Sequence, residues 1–426
     1  MSAEREPAGG CGAAPTSRPL AGIRVVEFAH MIMGPSCGLV LGDLGAEVIK
    51  LEPLEGDNTR RLTGTGAGFW ATYNRNKKSL ALDLKSPEGV QIAQRLVASA
   101  DVVTENFRPG TLDKLGLGYA DARRLRPEII YCSLKGFLPG PYERRTALDE
   151  VVQMMGGLAY MTGPEDRPLR AGASVNDVMG GMFGAIAILA ALHERARTGR
   201  GQFVQSALYE NNVFLVAQHM MQYAFTGKPA APMPSRLSAW AIYDVFDTAD
   251  GGQLFVGVVS DTQWKAFCEH FGMSELAADA TLANNNQRVH ARARLLPLVR
   301  ARLARLDKAE LMQACEHAGL PYAPIVKPHE LFDDPHLEAS GGFTEVTLAD
   351  GRRAKTPKLP FEMDGRRFGA ELDVPAVGSH TRELLAELGY DAATIERLAA
   401  RGVVKPAAAP AEASAPIFSS REESGS

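Results

Sequence analysis

The sequence predicts an α/β protein in which helices cover a parallel β-sheet. In the first half of the chain, short runs of β-branched residues alternate with helical patterns, which is typical of a parallel sheet. At about 150 residues per domain, the 426 residues allow two or three domains. A composition of 45% hydrophobic and 23% charged residues is ordinary for a globular protein with a large core.

The first elements follow from local signals. A strand is predicted at residues 23–28, and residues 35–44 form the next predicted helix, with proline in its first turn and Gly45 placed to end it. A second strand is predicted at 46–52. The alternating pattern of residues 79–84 predicts a third strand, which continues the order of strand and helix.

The following helix is predicted from its start signals. Ser86 is a favourable N-cap residue, Pro87 suits the first helical position, and Glu88 places an acid in the first turn. The helix is expected to end at residue 100. The alternation then continues with a strand at 101–107, a helix that ends before Pro127 and a strand at 128–134.

A change in composition marks a second, smaller α+β domain. After a helix at about 211–225, glycine and proline residues in 227–234 break the periodicity and indicate a linker. Two strands, 239–245 and 253–259, are expected to form a hairpin. Beyond them the sequence predicts helices at 261–272 and 288–319, a strand at 321–326, and a return to the larger domain through 345–349 and 381–388.

The termini, charge and cysteines limit the classes of function. Residues 1–18 lack the apolar segment of a signal peptide and 405–426 are rich in Ala, Pro, Ser and Glu, so both are predicted to be disordered tails. A net charge of −4 argues against nucleic acid or a membrane surface as a partner. The most apolar run, 182–192, is about half of a membrane span. Five widely spaced cysteines favour a reducing compartment and a cytoplasmic protein.

Several common catalytic motifs are missing from the sequence. Residues 64–68 read GTGAG, but the segment neither follows a strand directly nor opens a helix, so a plain loop is favoured over a dinucleotide site. The chain has no GxxxxGK[ST], HExxH or GxSxG motif. Its nine histidines are scattered without ligand spacing, so no metal site is predicted.

Basic residues recur at predicted strand ends and turns. Because ligands of open α/β sheets bind beyond the carboxyl ends of the strands, such cations could together hold a polyphosphate, although each one alone is more often a surface residue. The cations in question are Lys50, Arg60, Arg61, Lys77, Lys78, Lys85, Arg108, Lys114 and Lys135.

Asp177 introduces an apolar helix whose first turns carry Gly180, Gly181 and Gly184. One interpretation makes Asp177 an N-cap whose carboxylate stays ionised on the helix dipole. In the other, the carboxylate is a nucleophile, and the glycines leave room for a substrate carbonyl. The two interpretations are compatible.

Four ordered blocks of sequence carry a resemblance to a known family. They are LAGIRVVEFAHMIMGPSCGLVLGDLGAEVIKLE, NRNKKSLALDLKSPEG, ADVVTENFRPGTLDKLGLGY, and the Asp177 segment followed by HERARTGRGQ. With these blocks the chain resembles the family III CoA-transferases, which include formyl-CoA and carnitine CoA-transferases and extend to α-methylacyl-CoA racemase. The resemblance covers about residues 19–404.

The resemblance implies specific roles. Asp177 takes the place of the nucleophilic aspartate, which would attack the donor thioester and then carry CoA as an aspartyl thioester. No cofactor is expected to be bound permanently and no metal is required, because coenzyme A or acyl-CoA is itself the substrate. The residues that fall where the family lines its CoA site are His30, Leu82, Lys85, Asn106, Phe107, Arg108, Lys114, Lys135, Gly136 and Phe137.

The resemblance also implies an interlaced homodimer. The large domain would have a Rossmann-like parallel sheet built from N- and C-terminal segments, 19–225 and 326–404. Residues 226–325 would form the linker and the small domain. The expected partners are therefore an acyl-CoA, a small carboxylic acid and a second copy of the chain.

Three functions remain open at this point: CoA transfer, racemisation or isomerisation of an acyl-CoA, and CoA binding without turnover. Racemases of the family resemble one another in a Gly-His-Asp segment, and this chain has Ala147, Leu148 and Asp149 there. Leucine cannot exchange a proton, which favours the transferase. Arg144, Arg145 and Arg170 could pair with a second carboxylate, so a dicarboxylic substrate such as succinyl-CoA is a hypothesis.

Overall fold

The computed structural model describes residues 18–236 and 238–407, which fall into two compact units. The first unit comprises residues 18–159, 170–218 and 341–407, and the second comprises 160–169 and 219–340. The predicted small domain, 226–325, is shorter than this second unit. Most of the two predicted tails, 1–18 and 405–426, lies outside the described residues.

The first unit is built on a six-stranded sheet whose strands are all parallel. The spatial order is β3-β2-β1-β4-β5-β6, which is the order of a doubly wound α/β sheet, with its switch point between β1 and β4. The strands are β1 Arg24–Phe28, β2 Glu47–Glu52, β3 Lys77–Ala81, β4 Val102–Glu105, β5 Ile130–Lys135 and β6 Phe203–Ala207. The predicted α/β class with a parallel sheet is confirmed.

Helices connect these strands and cover both faces of the sheet. The helix after Ser86 begins as predicted, because the Ser86 hydroxyl accepts a hydrogen bond from the Gly89 N–H at 3.1 Å. The first eight helices are α1 Met33–Asp43, α2 Phe69–Tyr73, α3 Pro87–Ser99, α4 Tyr119–Leu125, α5 Asp149–Met155, α6 Leu158–Thr162, α7 Val175–Thr198 and α8 Leu208–Thr226.

The strand β6 is not among the predicted elements. It has five residues, lies between two long helices, and begins only a few residues after α7 ends at Thr198. Its sequence FVQSA carries polar residues beside apolar ones, so it lacks the continuous β-branched run of a buried strand. Pairing with β5 from Tyr131 to Lys135 supplies the stabilisation that the local sequence lacks.

The second unit contains a three-stranded antiparallel sheet, β7-β8-β9, with its own apolar core. The hairpin is confirmed, and the helical segment predicted at 288–319 is divided: α11 ends within it, and two further helices follow. The elements are β7 Ile242–Asp247, β8 Gln253–Val258, β9 Tyr322–Pro324, α9 Asp261–His270, α10 Ser274–Ala278, α11 Asn285–His290, α12 Arg292–Leu303, α13 Lys308–His317 and α14 Pro335–Ala339.

The C-terminal segment returns to the first unit and completes its core. Leu384 and Leu385 are fully buried with residues of β1, β2, β3 and α3, and Leu82 forms a single bridge with Val404. Lys405 donates its N–H to the Ala81 carbonyl, so the chain stays on the sheet up to that residue. The elements are β10 Phe343–Thr347, β11 Arg353–Pro357, β12 Glu362–Met363, β13 Arg366–Arg367, α15 Thr381–Glu387 and α16 Ala392–Ala400.

The opposite face of the sheet is covered by α1 and α7, which approach each other very closely. A Cβ at Gly181 would lie 2.1 Å from the Ser36 hydroxyl oxygen, so only glycine allows this contact. The 24-residue α7 is long and apolar enough to cross a membrane, with a mean hydropathy of 1.7 over its most apolar window. The apolar run is therefore longer than the predicted 182–192. The glycine face of α7 nevertheless packs on α1 in the core of this unit.

Candidate active site

A cavity of about 700 Å³ opens beyond the carboxyl ends of β1, β4 and β5, next to the switch point of the sheet. Three turns that follow these strands supply most of its lining. Eight of the predicted site residues line it: His30, Asn106, Phe107, Arg108, Lys114, Lys135, Gly136 and Asp177. The structure thus brings together residues that lie almost 150 positions apart in the sequence, because parallel strands end at one edge.

Three predicted site residues do not line this cavity. Leu82 is buried in the core after β3, and Lys85 is exposed in the turn that follows, near the edge of the sheet. Phe137 is buried against Tyr142 and Tyr209 and lines a smaller neighbouring cavity of about 280 Å³. The side chain of Leu82 is therefore not available to a ligand, although its backbone lies next to the exposed turn.

Asp177 lies in the first turn of α7, but it is not the N-cap. Ser174 holds the N-cap position and makes no side-chain capping bond. The helix is capped from elsewhere: Asp149 Oδ1 accepts hydrogen bonds from the N–H of Asn176 at 2.7 Å and of Asp177 at 3.1 Å. The N-cap interpretation of Asp177 is corrected accordingly, since another carboxylate does the capping and leaves the Asp177 side chain facing the cavity.

The expectation that Asp177 stays ionised is also wrong. Burial, followed by the charge of the neighbouring Asp149 carboxylate, raises the pKa of Asp177 to about 7, and Arg170 opposes both effects. Arg170 is itself paired with Glu150, which limits its influence. The nucleophile predicted by the resemblance is therefore only about half ionised near neutral pH, and it is more basic than an ordinary aspartate.

The turn after β1 is held by side chains from the segments that follow β4 and β2. Asn106 accepts a hydrogen bond from the His30 N–H at 3.0 Å and donates one to the His30 carbonyl at 2.8 Å. Met31, with φ of 64°, donates its N–H to the Thr59 hydroxyl. Desolvation lowers the pKa of His30, so its imidazole is neutral near pH 7. The contacts of Asn106 fix the shape of the cavity wall.

Several cations of the predicted polyphosphate site form ion pairs with carboxylates of the fold. Lys50 and Lys77 are fully buried and share the Glu27 carboxylate, at 3.4 and 2.9 Å. Burial lowers the pKa of Lys77 to about 8. Arg60 pairs with Glu52 at 2.6 Å. These cations stabilise the edge of the sheet and do not line the cavity.

Lys135 lines the cavity but is already paired. Its ammonium lies 2.7 Å from the Glu105 carboxylate and also donates to the Phe107 carbonyl. Glu105 accepts hydrogen bonds from the Ser133 hydroxyl and the Phe107 N–H as well. The pair therefore shapes the turn after β4. Among the cations that line the cavity, Arg108, Lys114, Arg144 and Arg145 have no ion-pair partner in the described part of the chain, so they are the cations available to an anionic ligand.

Sequence reasoning did not assign roles to Asp149, Glu105 or Tyr73. Burial and the charge of Asp177 both raise the pKa of the Tyr73 phenol, which places this ring near the nucleophile. In the sequence Asp149 stands out only as the last residue of the segment compared with the racemases, and no local pattern shows that it caps a different helix. Within residues 18–236 and 238–407, no three histidine, cysteine, aspartate or glutamate side chains are arranged to hold a metal ion.

Fold and cavity together define an α/β enzyme whose site lies at the switch point of a parallel sheet, with a carboxyl group among cations. Residues 20–381 match CoA-transferase family III. The chain belongs to this family and is a CoA-transferase that acts on acyl-CoA. It is 36% identical over 394 residues to the succinate–glutarate CoA-transferase of Agrobacterium fabrum, an alignment that covers 89% of this chain and 97% of that protein.

Two further comparisons agree with this assignment. The chain is 34% identical to the succinyl-CoA–D-citramalate CoA-transferase of Chloroflexus aurantiacus, covering 91% of this chain and 96% of that protein. The crystal structure of a CAIB/BAIF family protein from Brucella suis is similar, with a TM-score of 0.79 and 34% identity. That likeness covers 87% of this chain and all of the Brucella chain.

Proposed function

We propose that this CoA-transferase exchanges CoA between two dicarboxylic acids, with Asp177 as the nucleophile. The observation that carries the proposal is the position of the Asp177 carboxyl group in a cavity that also contains Arg108, Lys114 and Arg144. The cations suit the phosphates of CoA and a second carboxylate of the acyl group, because arginine pairs with either anion through two hydrogen bonds.

The chemistry balances without water or a cofactor. The Asp177 carboxylate attacks the donor thioester carbonyl, the C–S bond breaks, and CoA leaves as a thiolate with a mixed anhydride remaining on the enzyme. The thiolate attacks the aspartyl carbon of this anhydride and releases the donor acid as a carboxylate. The acceptor carboxylate then repeats the two steps in reverse, which forms its CoA thioester and regenerates Asp177.

The raised pKa of Asp177 suits this exchange. A carboxylate with a pKa of about 7 is a stronger nucleophile than one at the usual value near 4, yet about half of it is ionised at neutral pH. When the thiolate attacks the donor acyl carbon of the anhydride, Asp177 is a poor leaving group, so attack on the aspartyl carbon, which expels the donor acid, is favoured. We propose that burial of Asp177 sets this balance.

The dicarboxylate specificity rests on the arginines and on the relatives. The names of the Agrobacterium and Chloroflexus proteins specify succinate with glutarate and with citramalate, all dicarboxylic acids. Arg144 and Arg145 belong to the exposed segment before α5 that lines the cavity. Arg145 lies over the Tyr142 ring at 5.0 Å, which holds its guanidinium in place, and Arg144 is free to bind the distal carboxylate.

The covalent role is tested by replacing Asp177. Asp177→Ala should abolish transfer, and turnover within about tenfold of the wild-type enzyme, which is about 1.4 kcal/mol of barrier, would exclude the covalent route. In the wild-type enzyme, incubation with succinyl-CoA followed by hydroxylamine should label the peptide that contains Asp177. The Ala variant is the control for labelling at any other carboxylate.

The substrate class is tested with Arg144→Met. We expect the KM for glutarate to rise by about tenfold or more, as the loss of a charged hydrogen bond predicts, and the KM for butyrate, which lacks the distal carboxylate, to stay unchanged. Arg200→Met, an exposed arginine between α7 and β6, is the matched control. Equal effects on the two acceptors would contradict the role of Arg144 in recognition of the distal carboxylate.

We also propose the interlaced homodimer implied by the resemblance. Large apolar side chains on α8 are exposed in the single chain, with Phe214 at 68%, Met221 at 66% and Phe225 at 91%. Apolar surface of this extent on one helix is typical of a protein interface.

A further inference from the structure

We propose that Asp149 is a positioning residue of the reaction: it holds the backbone of the nucleophile and places a fixed negative charge beside it. The proposal rests on the covalent role of Asp177 proposed above. Asp149 begins α5, lines the cavity, and is only 7% exposed. No part of the chemistry requires its carboxylate to contact a reacting atom.

The contacts of Asp149 fix both of its oxygens. Oδ1 accepts the N–H groups of Asn176 and Asp177, and Oδ2 accepts a hydrogen bond from the Gln153 amide at 2.5 Å. Gln153 in turn accepts one from the Ala171 N–H at 2.8 Å. The carboxylate therefore cannot turn away from α7, and it connects α5 to both the loop and the helix that carry the nucleophile.

In this arrangement Asp177 lies at a helix N-terminus without accepting hydrogen bonds from its N–H groups. The N–H groups of the first turn would lower the pKa of any carboxylate that they bind. Here Asp149 takes those hydrogen bonds, so Asp177 receives the repulsion of a second carboxylate without the stabilisation from the N–H groups. Burial is the largest cause of the raised pKa of Asp177, and this geometry explains why the helix N-terminus does not offset it.

Other charged groups near Asp177 also influence its titration. Arg170, on the loop before α7, opposes Asp149 but is paired with Glu150. Tyr73, at the end of α2, is neutral at physiological pH, and burial raises its pKa further. Lys135, at the end of β5, lines the same cavity but is paired with Glu105. Asp149 is therefore the nearby group whose removal should shift the pKa of Asp177 most.

The test is the pH dependence of kcat/KM for succinyl-CoA in Asp149→Asn and Asp149→Ala. Asparagine keeps an acceptor oxygen for the two N–H groups and removes the charge, whereas alanine removes both. We expect the acid limb to move to lower pH by about 1 unit in the Asn variant, as expected for loss of a neighbouring like charge. In the Ala variant kcat should fall by at least a further factor of about ten, because the first turn of α7 is no longer held.

Two controls separate this role from a structural one. Asp350→Asn removes the same charge from the exposed turn between β10 and β11 and should leave the pH profile unchanged. Thermal unfolding identifies a variant that has lost its fold. In the wild-type enzyme, the rate of hydroxylamine-trapped labelling at Asp177 should rise through a pKa of about 7, a measurement that requires no variant.

The outcomes are distinct. An acid limb that stays in place in a folded Asp149→Asn enzyme overturns the proposal, and so does a wild-type limb at the ordinary pKa of an aspartate, near 4. Equal kcat in the Asn and Ala variants would overturn the backbone role. Absence of any label at Asp177 in the wild-type enzyme would instead contradict the covalent function on which the proposal rests.

Discussion

Asp177 should lower the stability of the folded protein at neutral and higher pH. Its pKa is raised from 3.8 to about 7 by folding, so between these values the native state holds a proton that the unfolded chain releases. Stability due to this group is therefore full below about pH 4 and falls as the pH rises to 7. Asp177→Asn should be more stable than the wild-type enzyme at pH 8.

The measurement is urea denaturation of both proteins at pH 5 and pH 8. The raised pKa and partial solvent screening together predict a difference of about 2 kcal/mol in favour of the Asn variant at pH 8, and a smaller difference at pH 5. A wild-type enzyme as stable as the variant at pH 8 would show that Asp177 is not destabilised by its surroundings. Such a gain at an active-site residue is a known form of trade-off between stability and activity.

Arg108 and Lys135 should respond differently to removal, although both were predicted to bind CoA. Arg108 has no ion-pair partner among the described residues and lines the cavity, so Arg108→Ala should raise the KM for acyl-CoA, with a smaller effect at high salt. Lys135→Ala leaves Glu105 unpaired, so it should cost about 2 kcal/mol or more of stability.

Denaturation and salt-dependent kinetics of both variants check this prediction. The double variant of Lys135→Met with Glu105→Gln should recover much of the lost stability, because no charge is left without a partner. A salt-dependent KM in Lys135→Ala with unchanged stability would contradict the structural role of the pair.

The close packing of α1 on α7 should not tolerate an added side-chain carbon. In Gly181→Ala the new Cβ would meet the Ser36 hydroxyl oxygen at 2.1 Å and the Met33 carbonyl oxygen at 2.6 Å, so one helix must move. Overpacking of this kind costs about 2 kcal/mol, despite the better helix propensity of alanine. Gly172→Ala is the matched control, because a Cβ at Gly172 would have no other atom within 4 Å.

Chemical denaturation of the two glycine variants tests this contact. We expect a lower midpoint for Gly181→Ala only, and equal midpoints would show that α1 and α7 are not tightly packed. Since Met33 also lines the cavity, kcat/KM of Gly181→Ala should fall as well.

The elements that could be predicted are those with strong local signals. The strands at β1, β2, β4 and β5 and the helix capped by Ser86 follow from β-branched runs and start residues. The strand β6 could not be predicted, because its stability comes from pairing with β5. Residues 288–319 contain helical periodicity throughout, and the prediction missed a local start signal: Asp307 and Glu310 form the capping box that begins α13 after the break at Ala304–Asp307.

For the site, the family resemblance and the cations at predicted strand ends indicated which side chains meet, but not which contacts they make with one another. Eight of the eleven predicted site residues line one cavity, because strand ends of a parallel sheet converge. Charge pairing was not predictable: Lys135 and Glu105 come from different strands, and Asp149 caps a helix that starts 26 residues later. Such contacts depend on the packing of distant segments, which local patterns do not encode.

At the scale of the whole molecule, the proposed homodimer should be detectable by light scattering coupled to size exclusion. The chain has a mass of 45.8 kDa, so a dimer of twice that mass is expected at micromolar concentration. Replacement of Phe225, which is 91% exposed in the single chain, by Asp should weaken dimerisation if α8 lies in the interface. A monomeric wild-type enzyme with full activity would contradict the interlaced arrangement.

The bridge between Leu82 and Val404 can form only after nearly the whole chain has been synthesised. The two residues are about 320 positions apart, and a ribosome adds about 5–20 residues per second, so the C-terminal segment emerges roughly 15–60 s after β3. Until then the apolar residues that α15 and α16 cover remain open to solvent. The nascent chain therefore passes through a long interval in which this face of the sheet is exposed and open to non-native contacts.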